Sequence, residues 1–247
     1  MKAIILAGGT GSRLYPLTKV TNKHLLPVGK YPMIFHAAHK LSLAGLKDIL
    51  VVTGKEHMGD VVNLLGSGRE MGLSFTYKVQ EEAGGIAQAL SLAEQFVGND
   101  RMVVILGDNV FKDDITPFVN NFRNQTRGAK ILIQEVADPR RFGVPELEGN
   151  RIISIEEKPE IPKSQYAVTG IYMYDHQVFD IIRTLKPSAR GELEITDVNN
   201  AYIKRNELTF DILKGWWTDA GTHSSLARAN ELAREMNFGD EFGKLKL

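Results

Sequence analysis

The chain has 247 residues, of which 43% are hydrophobic and 24% charged, enough for one large α/β domain or two small ones with a sizeable core. Lysine and arginine total 30, as do aspartate and glutamate, and the resulting net charge of zero argues against a protein that coats nucleic acid. Cysteine is absent, which excludes disulfides, cysteine nucleophiles and thiolate metal sites.

The first half of the chain alternates short apolar runs with helical patterns of apolar residues. The runs typical of strands are Ala3–Leu6, Ile49–Val52, Ser74–Val79 and Met102–Leu106. The helical patterns between them cover Ile34–Ala44, Val61–Leu65 and Ile86–Phe96. Strands that alternate with helices in this way predict an α/β fold, with a mostly parallel mixed sheet and helices on both faces.

The second half mixes further strands and helices, and no linker or repeat separates it from the first. Strands are predicted over Lys130–Val136, Arg151–Glu156 and Tyr166–Tyr174, and helices over Gln177–Leu185, Ile195–Arg205 and Ser224–Met236. We therefore predict a single domain over residues 1–247, in which the later strands extend the same sheet and form the acceptor side of a cleft. No run approaches the roughly 20 apolar residues of a membrane span, so we expect a cytoplasmic protein without a membrane partner.

A glycine-rich loop, Gly8-Gly9-Thr10-Gly11-Ser12-Arg13, directly follows the first predicted strand. Glycines let the backbone approach a ligand closely, successive N–H groups form an anion site, and Arg13 adds a fork of donors for phosphate oxygens. The loop lacks the Gly-Lys-Ser/Thr ending of a P-loop, and Leu14 stands where the Rossmann fingerprint requires its third glycine. The loop thus predicts a phosphate site of another type, or a tight strand-to-helix turn without a ligand.

The strand Met102–Leu106 is followed by Gly107-Asp108-Asn109. In open α/β sheets ligands bind at the carboxyl ends of the strands, which places Asp108 at the same edge as the glycine-rich loop. A carboxylate there can hold Mg²⁺, a hard cation that takes one or two carboxylates together with waters and substrate phosphates. For an isolated aspartate, a turn residue or a helix cap is the alternative interpretation.

Longer motifs carry a specific resemblance. The segment Leu6–Leu14, together with Lys23-His24-Leu25-Leu26-Pro27, resembles the signature of the nucleotidyltransferases that make nucleotide sugars. Further matching segments follow in the same order: Val79-Gln80, Gly85–Ala89, Gly107–Asn109, Arg141–Val144, Glu156–Pro159, Tyr166–Gly170, Arg190–Asp197 and Trp217–Gly221. Within that family the chain is most similar to the glucose-1-phosphate thymidylyltransferases of the short form.

This resemblance implies a Rossmann-like nucleotidyltransferase fold, with a nucleotide-binding half over about 1–130 and a sugar-phosphate-binding half over about 131–247. It implies transfer of a thymidylyl group from dTTP to glucose 1-phosphate, with Mg²⁺ as the cofactor and dTDP-glucose and pyrophosphate as the products. Such a product is typical of pathways to deoxysugars such as dTDP-rhamnose, and hence to polysaccharides.

The family's site residues carry over by resemblance, position by position. The nucleotide would contact Leu6, Gly8, Gly9, Gly11, Ser12, Arg13, Gln80, Gly85, Gln88 and Asp108. The sugar phosphate would contact Asn109, Gly143, Glu157, Lys158, Val168 and Arg190, with Thr196 nearby. Asp108 and Asp219 are the implied metal ligands, and the implied catalytic residues are Arg13, Lys23, Asp108, Lys158 and Asp219.

Two alternatives to this interpretation stay open. Thymine and uracil present the same imide edge to a glutamine such as Gln80, so a uridylyltransferase or another sugar-1-phosphate nucleotidylyltransferase is the first. A non-catalytic sensor of nucleotide sugars is the second, although Arg13, Lys23, Asp108 and Asp219 are all present. Longer relatives form a regulatory nucleotide site with a further C-terminal segment, and whether such a site exists here stays open. The resemblance does imply a homo-oligomer.

Overall fold

The structure is a computed structural model that describes residues 1–238. The predicted domain extends to residue 247, and its part over residues 239–247 lies outside the described residues. The strands, numbered in chain order, are Lys2–Ala7 (β1), Pro27–Val28 (β2), Tyr31–Pro32 (β3), Asp48–Gly54 (β4), Ser74–Gln80 (β5), Met102–Leu106 (β6), Asn109–Phe111 (β7), Ala129–Glu135 (β8), Gly143–Glu148 (β9), Arg151–Glu157 (β10), Tyr166–Tyr174 (β11), Leu208–Ile212 (β12) and Trp217–Asp219 (β13). The helices are Met33–Leu43 (α1), Met58–Leu65 (α2), Ile86–Ser91 (α3), Glu94–Val97 (α4), Thr116–Asn124 (α5), Val178–Thr184 (α6), Ile195–Lys204 (α7) and His223–Leu232 (α8).

Seven of the strands form one sheet in the order β12-β8-β11-β6-β1-β4-β5. Neighbouring strands are parallel except around β11, which runs antiparallel to both β6 and β8. The predicted mostly parallel mixed sheet is therefore confirmed. Because β11 lies between β6 and β8, strands from the first and second halves of the chain share the centre of the sheet.

The core lies on both faces of this sheet, as the period-two alternation of strand side chains requires. On β1, Ala3 and Ile5 are fully buried in one cluster with α1, α2 and α5. Ile4 is fully buried in the other cluster, with α3, α4, α6 and α7. The prediction of helices on both faces is thus confirmed. Within residues 1–238 no helix is both long enough and apolar enough to cross a membrane.

The predicted helix Ile86–Phe96 is wrong as a single element, because α3 ends at Ser91 and α4 begins at Glu94. The Ser91 hydroxyl donates to the Gln88 carbonyl at 2.7 Å, and the following backbone N–H groups bond to carbonyls three residues earlier. A side chain that competes for a backbone carbonyl in this way disturbs a helix. The last predicted helix, Ser224–Met236, likewise ends early, at Leu232. Beyond that residue the N–H groups of Arg234 and Met236 bond to carbonyls three residues earlier, as in a 3₁₀ helix.

The prediction that the later strands extend the main sheet holds for β8 and β11 but is wrong for β10. This strand pairs with β9 in a separate antiparallel hairpin, closed by the two-residue turn Gly149-Asn150 with Gly149 at φ 58°. The sequence patterns also do not predict α5, β7, β9, β12 or β13. The strands β7 and β13 have three residues each, too few for an alternating pattern to be recognised.

Candidate active site

A cleft of about 350 Å³ opens at the carboxyl edge of the main sheet. It brings together most of the residues predicted from the sequence, namely Leu6, Gly8, Gly9, Arg13, Lys23, Gln80, Gly85, Asp108, Asn109, Gly143, Glu157, Lys158, Val168, Arg190, Thr196 and Asp219. Three predicted residues, Gly11, Ser12 and Gln88, do not line it. The strand-end geometry therefore places the glycine-rich loop and Asp108 in one cleft, as the pattern of the sequence indicates.

The glycine-rich loop is shaped by Gly11, which has φ 63° and precedes a short 3₁₀ helix over Ser12–Leu14. The Thr18 hydroxyl donates to the Gly11 carbonyl at 2.9 Å, and Leu14 is fully buried beneath the loop. A residue with a side chain would be strained at this φ. Gly11 and its neighbours thus fix the loop so that Arg13 faces the cleft, although Gly11 itself lies outside the lining.

Two carboxylates meet near Gly221. Asp108 follows β6, Asp219 ends β13, and the backbone N–H of Ala220 donates to the Asp108 carbonyl at 2.8 Å. A Cβ placed on Gly221 would lie 3.4 Å from Asp219 Oδ2, 3.5 Å from Asp108 Oδ2 and 3.0 Å from Arg13 Nη2. The absence of a side chain at Gly221 therefore leaves a cradle in which both carboxylates and a guanidinium converge.

Each carboxylate has a cationic partner. Lys23 Nζ lies 2.5 Å from Asp108 Oδ2, and Arg141 Nη2 lies 3.3 Å from Asp219 Oδ2. Burial opposes ionisation of Asp108, but the charge of Lys23 and hydrogen bonds from Lys23 and Asn109 outweigh it and hold the pKa of this carboxyl below its usual range. Burial and the charge of Asp108 instead raise the pKa of Asp219, against the nearby cations.

A divalent cation fits this pair of carboxylates. Within the described part of the chain there is no group of three or more histidine, cysteine, aspartate or glutamate side chains that could hold a metal alone. Mg²⁺ takes one or two carboxylates and completes its shell with waters and substrate phosphates, so Asp108 and Asp219 suffice. Burial and repulsion from Asp108 raise the pKa of Asp219, and a cation bound between the two carboxylates would offset that repulsion.

Asn109, a predicted sugar contact, has both amide atoms engaged and is only 2% exposed. Its Nδ2 donates to Asp108 Oδ1 at 3.0 Å, while its Oδ1 accepts from Trp217 Nε1 at 2.6 Å and from the Gly170 N–H at 2.9 Å. Asn109 therefore orients Asp108 and ties it to β11 and β13. In the free protein, both polar atoms of the Asn109 amide are used for these hydrogen bonds.

The predicted nucleobase side is built from Gln80, which ends β5. Its Nε2 donates to Gln88 Oε1 at 2.6 Å and to the Gly85 carbonyl at 3.3 Å. Gln88 thus holds Gln80 in place from outside the cleft. Gly85 has φ 99°, and a Cβ there would lie 2.5 Å from the Leu193 carbonyl oxygen, so close packing of the segment after α6 requires this glycine.

Replacing Gly85 with alanine is expected to lower the free energy of unfolding by about 1–3 kcal/mol, because the new Cβ meets backbone at a φ that L residues rarely adopt. Urea unfolding measures this change. Gly84→Ala is the matched control, since the atoms nearest to a Cβ there belong to the Gln88 side chain, at 3.0 Å and beyond, and not to backbone. Equal losses of stability in the two variants would contradict the role assigned to Gly85.

The predicted sugar side centres on Glu157 and Lys158 at the end of β10. Glu157 Oε2 accepts from the Thr196 hydroxyl at 2.7 Å, and Glu157 Oε1 lies 3.4 Å from Lys158 Nζ. Lys158 has φ 49°, an uncommon conformation for a residue with a side chain. The pairing of β11 with β8 is interrupted between Val168 and Tyr172, so β11 departs from the regular ladder beside the cleft.

Several lining residues were not among the predicted site residues: His24, Arg141, Tyr172, Glu192, Glu194 and Trp217. Most of them lie within the matching motifs, so their position there is the signal that could have found them. His24 is 1% exposed, its Nδ1 lies 2.7 Å from Asn22 Oδ1, and burial lowers its pKa to about 3. It therefore lies in the cleft wall as a neutral imidazole.

Comparison with known proteins finds one family and several enzymes that match nearly the whole described chain. The family described as "Nucleotidyl transferase" matches residues 2–235. A glucose-1-phosphate thymidylyltransferase of Neisseria meningitidis is 48% identical over 233 residues, which cover 93% of this chain and 81% of the relative. The enzyme of the same name from Mycolicibacterium smegmatis is 42% identical over 238 residues, which cover 95% of this chain and 82% of the relative.

Two solved structures are similar to this chain in fold. A Bacillus anthracis protein assigned as a glucose-1-phosphate thymidylyltransferase, solved in complex with a sucrose, is 69% identical with a TM-score of 0.95, covering 98% of this chain and 99% of its own. A UDP-glucose pyrophosphorylase complexed with UDP-glucose is 26% identical with a TM-score of 0.83, covering 93% of this chain and 97% of its own. The fold is thus shared with both of these proteins.

Proposed function

The chain belongs to the nucleotidyl transferase family, and we propose that it transfers the thymidylyl group of dTTP to glucose 1-phosphate, giving dTDP-glucose and pyrophosphate. The observation that carries this proposal is the convergence of Asp108, Asp219 and Arg13 around Gly221, at the strand-end edge where the glycine-rich loop begins. The relatives named glucose-1-phosphate thymidylyltransferase support the choice of substrates.

The nucleophile is a phosphate oxygen of glucose 1-phosphate. It forms a bond to the α-phosphorus of dTTP while the bond from that phosphorus to the bridging oxygen of the β-phosphate breaks, and pyrophosphate leaves. No general base is needed, because a phosphate monoester with a second pKa of about 6 is mostly dianionic at neutral pH. The task of the protein is to align two anions and offset their repulsion. Lys158 and Arg190, both in the cleft, hold the attacking phosphate.

The nucleotide side supplies donors to the α-phosphate and to the departing pyrophosphate. These are Arg13, Lys23 and the backbone N–H groups of residues 8–11. Lys23 lies beside the loop, since a Cβ on Gly11 would lie 3.4 Å from Lys23 Cβ. In the free protein the Lys23 ammonium is paired with Asp108, so the same cation neutralises the carboxylate before substrates arrive.

Enzymes of the family generally use a divalent metal ion, and Mg²⁺ held by Asp108 and Asp219 is the metal that we propose. When bound, it supplies positive charge to the phosphates of the two substrates. Further parts of the proposal are a single domain with a nucleotide-binding and a sugar-phosphate-binding half, assembly as a homo-oligomer, and a cytoplasmic location. A supply of deoxysugar donors for polysaccharide synthesis follows from the proposed product.

The test is pyrophosphate release from the purified protein with Mg²⁺ and glucose 1-phosphate, with dTTP, UTP, CTP, ATP and GTP supplied separately. The expected result is the highest kcat/KM with dTTP. Preference for another nucleotide would keep the chemistry and overturn the thymidylyl assignment. If every nucleotide fails, also with galactose 1-phosphate and mannose 1-phosphate, the result would overturn the proposal and favour the non-catalytic sensor.

A uridylyltransferase is the second candidate. The structural similarity to a UDP-glucose pyrophosphorylase complexed with UDP-glucose favours it, as does the inability of Gln80 to distinguish uracil from thymine through their common imide edge. The same nucleotide panel separates the two, since a uridylyltransferase would give its highest kcat/KM with UTP.

A further inference from the structure

The segment between α6 and α7 lines the cleft with Arg190, Glu192 and Glu194, and its own backbone hydrogen bonds close it into a loop. The Ser188 N–H donates to the Glu192 carbonyl at 2.8 Å, and the Gly191 N–H donates to the Ser188 carbonyl at 2.8 Å. The Leu193 N–H donates to the Gly84 carbonyl at 2.8 Å, and the Ala87 N–H donates to the Leu193 carbonyl at 3.2 Å. Backbone hydrogen bonds therefore fix this loop to the start of α3, on the predicted nucleobase side.

Arg190 extends from this loop, and Glu194 holds its guanidinium. Arg190 Nη2 donates to Glu194 Oε2 at 2.8 Å and to Oε1 at 2.9 Å, and its Nε donates to Oε1 at 3.2 Å. The Ser188 hydroxyl donates to Glu194 Oε1 at 2.7 Å. The Glu194 side chain is 12% exposed, against 42% for Arg190, so the carboxylate is the better anchored of the two groups.

The other two carboxylates near Arg190 lie farther away. Glu157 Oε1 is 3.4 Å and Glu192 Oε2 is 3.6 Å from Arg190 Nη2. Arg190 Nη1 has no hydrogen-bond partner among residues 1–238 and keeps its two N–H groups for a ligand. A planar guanidinium held along one edge presents the remaining edge in a fixed direction, which suits the recognition of a phosphate.

We infer that Glu194 is a positioning residue that orients Arg190 toward the phosphate of the sugar phosphate. The inference rests on the proposed function, which places that phosphate at Arg190. We expect Glu194 to act mainly on the binding of the sugar phosphate, because its side-chain hydrogen bonds go to Arg190 and Ser188. A neutral glutamine would keep the shape of the side chain but lose the charge-assisted pairing, and it would release the long arginine side chain to other rotamers.

The test compares Glu194→Gln with Asp180→Asn, a matched control that removes a carboxylate paired with Arg183 on α6, outside the cleft lining. Glu194→Gln is expected to raise the KM for glucose 1-phosphate about tenfold, with the KM for dTTP and the thermal midpoint unchanged. Asp180→Asn is expected to change each value less than about twofold, because its ion pair with Arg183 is exposed. A shift of both KM values together with the thermal midpoint would show a structural role and overturn the inference.

A double-mutant cycle with Arg190→Gln tests whether Glu194 acts through Arg190. If Glu194 acts through Arg190, Glu194→Gln adds no further increase in KM to the Arg190→Gln variant. Additive effects would overturn the inference while the wild type remains active, so the proposed function would stand. Calorimetric titration of glucose 1-phosphate into the wild type and the variants gives the same comparison without turnover. If the wild type does not bind glucose 1-phosphate, the role of Arg190 fails, and with it that of Glu194.

Discussion

Asp108→Asn is expected to lower kcat by about a thousandfold while the protein stays folded. Asparagine has the shape of aspartate, so the packing around the end of β6 is preserved. The substitution removes one of the two carboxylates that converge near Gly221 and leaves the Lys23 ammonium without its counter-ion at 2.5 Å. It also removes a charge that raises the pKa of Asp219, so this pKa falls. Pyrophosphate release at a series of Mg²⁺ concentrations measures the loss of kcat. Mn²⁺ binding to the free protein measures the loss of metal affinity.

Asp48→Asn is the matched control for this variant. It also breaks a lysine–carboxylate pair, since Lys2 Nζ lies 3.0 Å from Asp48 Oδ2, but the Asp48 side chain is 59% exposed at the start of β4. Because exposed ion pairs contribute little, kcat should change less than about twofold. If Asp108→Asn keeps most of its activity at limiting Mg²⁺, or binds Mn²⁺ as tightly as the wild type, Asp108 is not a metal ligand.

The parts of the site that the sequence predicts are those that local patterns determine. Parallel strands end at one edge of a sheet, so residues that follow β1 and β6 must lie near each other. The glycine-rich loop and Asp108 meet in the cleft for this reason. The resemblance adds Asp219 and Lys158, whose turns have no strong pattern of their own.

The contacts that organise the site join positions far apart in the chain, and no local pattern records them. Trp217 and Asn109 are 108 positions apart, and Arg141 and Asp219 are 78 positions apart. Such pairs depend on how β7 and β13 pair outside the main sheet. The two helices in place of Ile86–Phe96 have a different and local cause, because the Ser91 hydroxyl competes for the Gln88 carbonyl within an otherwise helical pattern.

Acidification from pH 7 to pH 4.5 is expected to lower the free energy of unfolding by about 3 kcal/mol or more. Burial lowers the pKa of His24 to about 3 and the pKa values of His36 and His39 to about 4, from an ordinary value of 6.5. Between pH 6.5 and pH 4 the unfolded chain therefore binds more protons than the folded protein. Stability is fully present above pH 6.5 and is lost as the pH falls toward 4. The raised pKa values of Asp197 and Asp219 act in the opposite direction, but they are two groups against three histidines.

His36→Gln separates the contribution of one histidine. His36 Nε2 lies 2.9 Å from the Val28 carbonyl oxygen, and its ring contacts Phe238 edge-on at 4.9 Å. A glutamine amide can donate to the same carbonyl but takes up no proton, so the slope of unfolding free energy against pH should fall by about 1 kcal/mol per pH unit between pH 4.5 and 6. His57→Gln is the control, since His57 is partly exposed at the start of α2 and pairs with Asp60. Urea unfolding at each pH measures all three proteins. An unchanged slope in His36→Gln would mean that His36 is protonated in the folded protein, which would require the packing of α1 against β2 and Phe238 to differ from the one described.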